Sequence, residues 1–168
     1  MKHATQICIA AALLMAAAGA ASAGTVTVKY QDPDKYMDVP SYEQDRTQML
    51  KEFTEHFQRL GKRLPANQQL NVTVTDIDLA GRVEPHRHHL IDDIRVLRGG
   101  ADWPTMALTY TLEEDGKVIA SGSEHLKNMM YLEGLNRYSS GDALRYEKPM
   151  IDDWFKATFA SPAQLSRK

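Results

Sequence analysis

The segment Leu70–Gly81 constrains the fold more than any other part of the sequence, because its hydrophobic pattern changes phase partway along. Its first half carries apolar side chains at alternate positions, which is typical of a strand with one buried face: Leu70, Val72 and Val74. The pattern then shifts by one residue, so that Asp76 and Asp78 take the positions that had been apolar. A β-bulge near Thr75 would return the apolar residues beyond it to the core. Otherwise the strand leaves the core, and both carboxylates turn toward a rim or cleft at its end.

Residues 1–23 have the pattern of a cleavable export signal. A short basic start at Lys2 is followed by the apolar run Ile7–Ala18, which is too short to span a bilayer. Small side chains then predict cleavage between Ala23 and Gly24. We therefore expect a periplasmic or extracellular protein with no membrane span.

Composition excludes several classes of protein. The single cysteine of the 168 residues, Cys8, lies in the predicted signal, so the processed chain has no disulfide, thiol nucleophile or thiolate metal site. The 22 acidic residues outnumber the 20 basic ones, which makes nucleic acid an unsuitable partner. We expect one domain over residues 24–160 and a mobile C-terminal tail over 161–168.

Periodicity along the rest of the chain predicts an α+β domain with the order β-α-β-β-β-β-α. The predicted strands span residues 25–30, 69–79, 93–98, 105–112 and 117–125. The first helix, 42–60, follows a capping pattern at Ser41 and carries apolar residues at helical spacing: Met49, Phe53, Phe57 and Leu60. His56 borders this stripe and is expected to pack rather than to bind a ligand. The last helix begins near Pro149, and Asp152 and Asp153 in its first turn would complement its dipole. This order favours an antiparallel-rich sheet with both helices packed on one face.

The turn between the last two predicted strands fixes their register. A two-residue turn at Asp115-Gly116 would place Tyr110 opposite Ser121. A three-residue loop, Glu114-Asp115-Gly116, would place Tyr110 opposite Ala120 and would pair the apolar positions with one another. That loop needs its last residue at positive φ, where Gly116 falls, so the sequence favours the three-residue loop.

Three segments of the chain, taken together, resemble a known bacterial family. They are Thr75–Gly81, the run Asp93-Ile-Arg-Val with the later Pro104 and Tyr110, and Leu144–Lys148 with Asp152-Asp153-Trp154. In these segments the chain is similar to an exported family known as domain of unknown function 3016, over roughly Val26 to Phe155. The resemblance implies export and no particular activity. The histidines near position 88 are not part of the family pattern.

Those histidines form the most metal-like cluster of the sequence. The residues His86, His88 and His89 stand between Glu84 and Asp92, and such side chains hold Zn²⁺, Cu²⁺ or Ni²⁺. In an extended chain His86 and His88 project to the same side. Neighbouring arginines and the cost of ordering a loop oppose this hypothesis, and a solvated polar loop with no cofactor is favoured.

Asp76 and Asp78 are the best candidates for a carboxylate pair in acid–base chemistry such as glycoside hydrolysis. The favoured alternative is that they accept hydrogen bonds from backbone amides of the turn at Ala80-Gly81. The sequence contains other polar or aromatic residues that we consider candidates for a binding or structural-turn role: Arg82, Arg95, Tyr110, Arg145 and Glu147. Of these, Arg145 is expected to form an ion pair with a carboxylate.

One loop carries four consecutive apolar residues in a polar setting: Met129, Met130, Tyr131 and Leu132. They would either plug the end of the core or form a contact surface for a partner. Two functions therefore stay open. One is a non-enzymatic envelope protein, monomeric or weakly dimeric, that binds an envelope protein or a small ligand through this loop or a sheet edge. The alternative is a metal-binding or metal-dependent hydrolytic protein that uses the histidine cluster beside Asp76 and Asp78.

Overall fold

A computed structural model describes residues 23–36, 38–40, 42–84 and 94–159 of the chain. The predicted signal, the C-terminal tail, Ser41 and the histidine cluster lie outside these residues. In chain order the elements are β1 (Thr25–Tyr30), a short 3₁₀ turn (Pro33–Lys35), α1 (Glu43–Gly61), β2 (Gln68–Asp78), β3 (Arg82–Glu84), β4 (Ile94–Val96), β5 (Thr105–Glu114), β6 (Lys117–Lys127) and α2 (Lys148–Phe159). No helix in the described ranges is long and apolar enough to cross a membrane.

The main sheet is mixed and has the strand order β1-β2-β5-β6. Pairing is antiparallel between β2 and β5 and between β5 and β6, but β1 runs parallel to β2. The α+β class is confirmed, and the sheet differs from a purely antiparallel one because α1 returns the chain to the start of β2. The strand predicted over 93–98 is described as β4, which pairs with β3 in a separate two-stranded ribbon.

Both helices and one face of the main sheet build a single core. Helix α1 contributes the predicted stripe, and α2 contributes Met150, Ile151, Trp154 and Phe155. The alternate residues Leu70, Val72 and Val74 of β2 are buried against them. This arrangement leaves the second face of the main sheet to polar side chains, as expected for an antiparallel-rich sheet.

The phase change in β2 is a β-bulge, which is the first of the two predicted solutions. Val74 pairs with Leu108 and Asp76 pairs with Ala107, so Thr75 is the extra residue. The bulge returns Ile77 to the core, where its side chain is fully buried. By alternation Asp76 and Asp78 lie on the opposite face of the strand.

The predicted register of the β5–β6 hairpin is wrong. The turn has two residues, Asp115 at φ 50° and Gly116 at φ 77°, which is the type I′ geometry that follows the twist of a hairpin. A second bulge then makes Ile119 an extra residue of β6, so Tyr110 lies opposite Gly122. Neither sequence-based register includes this bulge, because both assume continuous pairing beyond the turn.

Replacing Gly116 tests this turn. Space around its Cα is open, so a new side chain would act only through the backbone. We expect Gly116→Val to lower the free energy of unfolding by about 1 kcal/mol or more, since a β-branched residue resists positive φ. Gly116→Asn should cost less, because asparagine adopts this conformation more readily. Equal urea-unfolding midpoints for the natural protein and the two variants would contradict the turn assignment.

Candidate functional site

The three segments that carry the family resemblance meet at one arginine. Arg95, in β4, donates from Nε to the carbonyl oxygen of Ala80 at 2.5 Å and from a terminal nitrogen to that of Ala143 at 3.0 Å. Its other terminal nitrogen forms an ion pair with the carboxylate of Glu147, just before α2. Because a guanidinium presents its donors in a fixed plane, these contacts set the relative positions of β4, the turn after β2 and the start of α2.

Glu147 is fully buried and completes this junction. Its Oε1 atom pairs with the guanidinium of Arg95 and also accepts a hydrogen bond from the backbone N–H of Ala80, with a donor–acceptor distance of 2.9 Å. The next amide, of Gly81, donates to the carbonyl oxygen of Asp102 at 2.8 Å. The turn amides that we expected to be capped by Asp76 and Asp78 are therefore bonded to Glu147 and Asp102 instead.

A group of carboxylates surrounds the arginine. Burial raises the pKa of Asp78, and the neighbouring Asp76 raises it further while Arg95 opposes both effects. Burial likewise raises the pKa of Asp38, where Arg95 opposes the shift and Asp78 and Glu147 add to it. A capping role would have lowered the pKa of Asp78, so the electrostatics differ from the sequence-based expectation. The main chemical property of this cluster is therefore that two of its carboxyl groups, those of Asp38 and Asp78, have pKa values above the usual range of aspartate.

Asp38 is the member of the cluster that sequence analysis missed. It lies in the connection between β1 and α1, and its amide hydrogen approaches the carbonyl oxygen of Ile77, with a donor–acceptor distance of 3.5 Å. Its Oδ2 atom is buried without a hydrogen-bond partner. No local pattern in the sequence identifies this aspartate, because its neighbours in the cluster come from β2, β4 and the start of α2.

The structure also places three other candidates identified from sequence. Tyr110 packs edge-on against the rings of Trp154 and Phe159 in the core. Arg145 lies over the ring of Tyr146, whereas Arg95 is the arginine that pairs with Glu147. Arg82 is exposed at the start of β3.

The metal hypothesis falls outside the described residues. His86, His88 and His89 belong to the connection between Glu84 and Ile94, which pair with each other across the ribbon. Within the part of the chain that the structure describes, no group of three histidine, aspartate or glutamate side chains could hold a metal ion. Binding of zinc, copper or nickel by these histidines stays a prediction.

A second polar cluster joins the two helices. His56 is buried, as its place beside the apolar stripe of α1 suggests, and its Nε2 atom lies 3.0 Å from Oδ1 of Asp152. Arg59 approaches Nδ1 of the same ring at 3.2 Å. Tyr138 donates to the same aspartate at 2.6 Å.

This position corrects the role expected for Asp152. Helix α2 begins at Lys148, so the aspartate lies beyond its first turn and serves the contact with α1. Burial alone would raise the pKa of Asp152, but the adjacent imidazole of His56 and the hydrogen bond from Tyr138 hold it below its usual value.

The loop that follows β6 presents apolar side chains to solvent. We call residues 128–135 the methionine loop. Its tyrosine, Tyr131, is buried, with 5 % of its surface exposed. Four other apolar side chains of the loop stay exposed, by 53 % for Met129, 60 % for Met130, 47 % for Leu132 and 101 % for Leu135.

Tyr131 anchors the methionine loop through its hydroxyl group. The hydroxyl donates to Oδ1 of Asp102 at 2.7 Å and accepts the backbone N–H of Gly99 at 3.2 Å, while the ring meets Tyr146 edge-on. The N–H of Arg98 donates to the second oxygen of Asp102, and this bond, with that from Tyr131, keeps the pKa of Asp102 low. Because the carbonyl of Asp102 also holds Gly81, the loop is connected to the Arg95 junction.

Comparison with known proteins identifies one family. A family model described as "Protein of unknown function (DUF3016)" matches residues 24–157. No curated protein and no solved structure matches the chain.

The importance of the Arg95 junction can be measured by breaking it. Arg95→Met leaves the carboxylate of Glu147 buried without a counter-charge, and we expect a loss of about 3–5 kcal/mol in the free energy of unfolding. Arg137→Met is the control, because it removes an exposed arginine whose Nη2 atom lies 3.6 Å from Oδ2 of Asp152. This change should alter the free energy of unfolding by less than about 0.5 kcal/mol. The double variant Arg95→Met/Glu147→Leu should recover part of the loss, because no buried charge is left alone. Similar urea midpoints for the two single arginine variants would contradict this account.

The raised pKa of Asp78 predicts a pH-dependent stability. A carboxyl group whose pKa is higher in the folded than in the unfolded state binds its proton more readily when folded, so its contribution to stability falls as pH rises through that range. Asp78→Asn removes the charge and should stabilise the protein at pH 7 by a few tenths to about 1 kcal/mol, a range that allows for solvent screening. This gain in the free energy of unfolding should vanish at a pH below the pKa of free aspartate, because Asp78 is then protonated in both the folded and the unfolded state. Asp153→Asn, at an exposed position of α2, is the control. A lower free energy of unfolding for Asp78→Asn at pH 7 would instead support the capping role expected from the sequence.

Proposed function

The chain belongs to the family described as "Protein of unknown function (DUF3016)", and we propose that it is an exported, non-enzymatic binding module that attaches to another component of the bacterial envelope through its methionine loop. The observation that carries this proposal is the contrast within the loop. One aromatic side chain is buried and hydrogen-bonded, and the four apolar side chains around it point into solvent.

Exposed apolar residues are common when they are scattered, but a cluster of four in one loop is a typical contact surface. Folding alone gives no reason to keep these side chains in water. The bonds of Tyr131 to Asp102 and Gly99 would hold the loop in one conformation before a partner arrives. Such ordering lowers the entropy cost of binding.

The Arg95 junction supports a binding module rather than an enzyme. Its guanidinium donates to two backbone carbonyl oxygens and pairs with a buried carboxylate, which are structural contacts between segments. Asp38 and Asp78 are the groups from which acid–base chemistry would start, and the pH dependence described above tests their role. Export rests on the sequence of residues 1–23 and on the family resemblance.

Photo-crosslinking from single positions tests this function. A benzophenone amino acid at Met130 or Leu135 reacts with C–H bonds of whatever covers the loop in living cells, whether protein or lipid. We expect about tenfold more adduct from these two positions than from the same group at Thr27, which is exposed on β1. Adducts that form equally at all three positions, or at none, would refute the proposal. Mass analysis of the adduct identifies the class of partner.

A further inference from the structure

We propose that Asp38 makes the connection between β1 and α1 a proton-dependent latch. While the carboxyl group of Asp38 is neutral, this connection lies against the end of β2, and when the carboxyl group ionises, the connection separates from the strand. We call residues 38–40 the latch. The inference goes beyond the proposed function, because it involves neither the methionine loop nor a partner.

The position of the Asp38 side chain suits a neutral carboxyl group. Its Oδ2 atom is buried and has no hydrogen-bond partner among the described residues. A buried carboxylate oxygen without a donor is costly, and the cost is smaller when the group carries a proton. Burial is accordingly the largest of the causes that raise the pKa of Asp38.

The cation that faces Asp38 is already bonded to other groups. Arg95, on β4, attracts the carboxylate and opposes the rise in its pKa. Each of the three nitrogen atoms of this guanidinium is bonded to the carbonyl oxygen of Ala80, the carbonyl oxygen of Ala143 or the carboxylate of Glu147. An ionised Asp38 would therefore compete with these contacts for the same cation.

Negative charge faces Asp38 from two further elements. Asp78, on β2, and Glu147, just before α2, both raise the pKa of Asp38, and Asp76 in turn raises that of Asp78. Ionisation of Asp38 adds one more charge of the same sign to this group. Movement of the carboxylate into water relieves the repulsion and restores its hydration.

The latch is held weakly at Asp38 and more firmly on either side of it. The N–H of Asp38 lies 3.5 Å from the carbonyl oxygen of Ile77, which is long for a hydrogen bond. Before the latch, the buried Tyr36 donates from its hydroxyl group to a carbonyl oxygen of β2 at 2.9 Å. At its end, Arg46 of α1 donates to the carbonyl oxygen of Pro40 at 3.3 Å. Asp38 can therefore move outward between two anchored residues.

The direction of the pH dependence follows from the two states of Asp38. Its pKa is higher in the closed latch than in an open latch, where the carboxyl group is solvated, so the closed state binds the proton more tightly. The closed state is therefore favoured in acid. As pH rises above the pKa of free aspartate, the ratio of closed to open molecules falls by up to about tenfold per pH unit until the pKa of the closed state is passed.

Thiol labelling at position 39 tests this inference. Val39 packs against the core, so a cysteine in its place is shielded while the latch is closed. After Cys8→Ser, Val39→Cys supplies the single thiol of the chain, which is labelled with a dithiodipyridine. The labelling rate is compared with that of the same chain carrying Asp38→Asn, because the ratio of the two rates removes the pH dependence of the thiol itself. We expect similar rates at pH 4 and labelling at least about fivefold faster with Asp38 at pH 7.

A matched control is available on the same connection. Asp32 is exposed and lies 3.5 Å from Nζ of Lys35, so its charge is already solvated. Asp32→Asn should leave the labelling rate of the cysteine at position 39 unchanged at both pH values. Thermal melts of each variant establish that the fold is retained.

Two results would overturn the inference. One is an equal labelling rate at pH 7 with Asp38 and with Asp38→Asn. The other comes from the natural chain and so does not depend on the folding of a variant: an NMR titration of the Asp38 carboxyl carbon with a pKa at or below that of free aspartate. We expect this carbon to titrate above that value, and the amide signal of Asp38 to shift with the same midpoint.

Discussion

The ion pair between Arg95 and the buried carboxylate of Glu147 is the contact on which the remaining structure depends. Strand β4 makes only a short ribbon with β3, and the segment before α2 is irregular, so neither is positioned by the main sheet. The guanidinium bridges them and also binds the carbonyl of the turn after β2. A buried pair of this kind adds little net stability, but it imposes one relative arrangement on the segments it joins.

The position of the methionine loop depends on that arrangement. Through Gly81 the junction reaches the backbone of Asp102, and the side chain of Asp102 holds Tyr131. Tyr146, beside Glu147, supplies the ring on which Tyr131 rests. The carboxylates of Asp38 and Asp78 lie around the same arginine and repel one another there. The apolar tip and the acidic cluster are thus parts of one connected region, although they are far apart in the sequence.

The sequence predicts the fold well where the controlling interactions are local. Helix α1, expected over 42–60, spans Glu43–Gly61, because its apolar stripe belongs to the helix itself. The break in β2 was recognised, but only pairing with β5 shows that a bulge resolves it. The predicted hairpin register is wrong because turn length and alternation do not indicate the bulge at Ile119. Arg95 and Glu147 were both selected as candidates, yet no local pattern pairs residues that lie so far apart, and Asp38 had no signal at all.

The parallel alignment of β1 with β2 has a consequence for the order of folding. Strands β5 and β6 are joined by two residues and can pair as soon as both exist, whereas Thr25 must wait for Gln69. Closing so long a loop is slow and entropically costly, so the first strand is a late addition to the sheet. Until β1 docks, the edge of β2 that it covers stays unpaired.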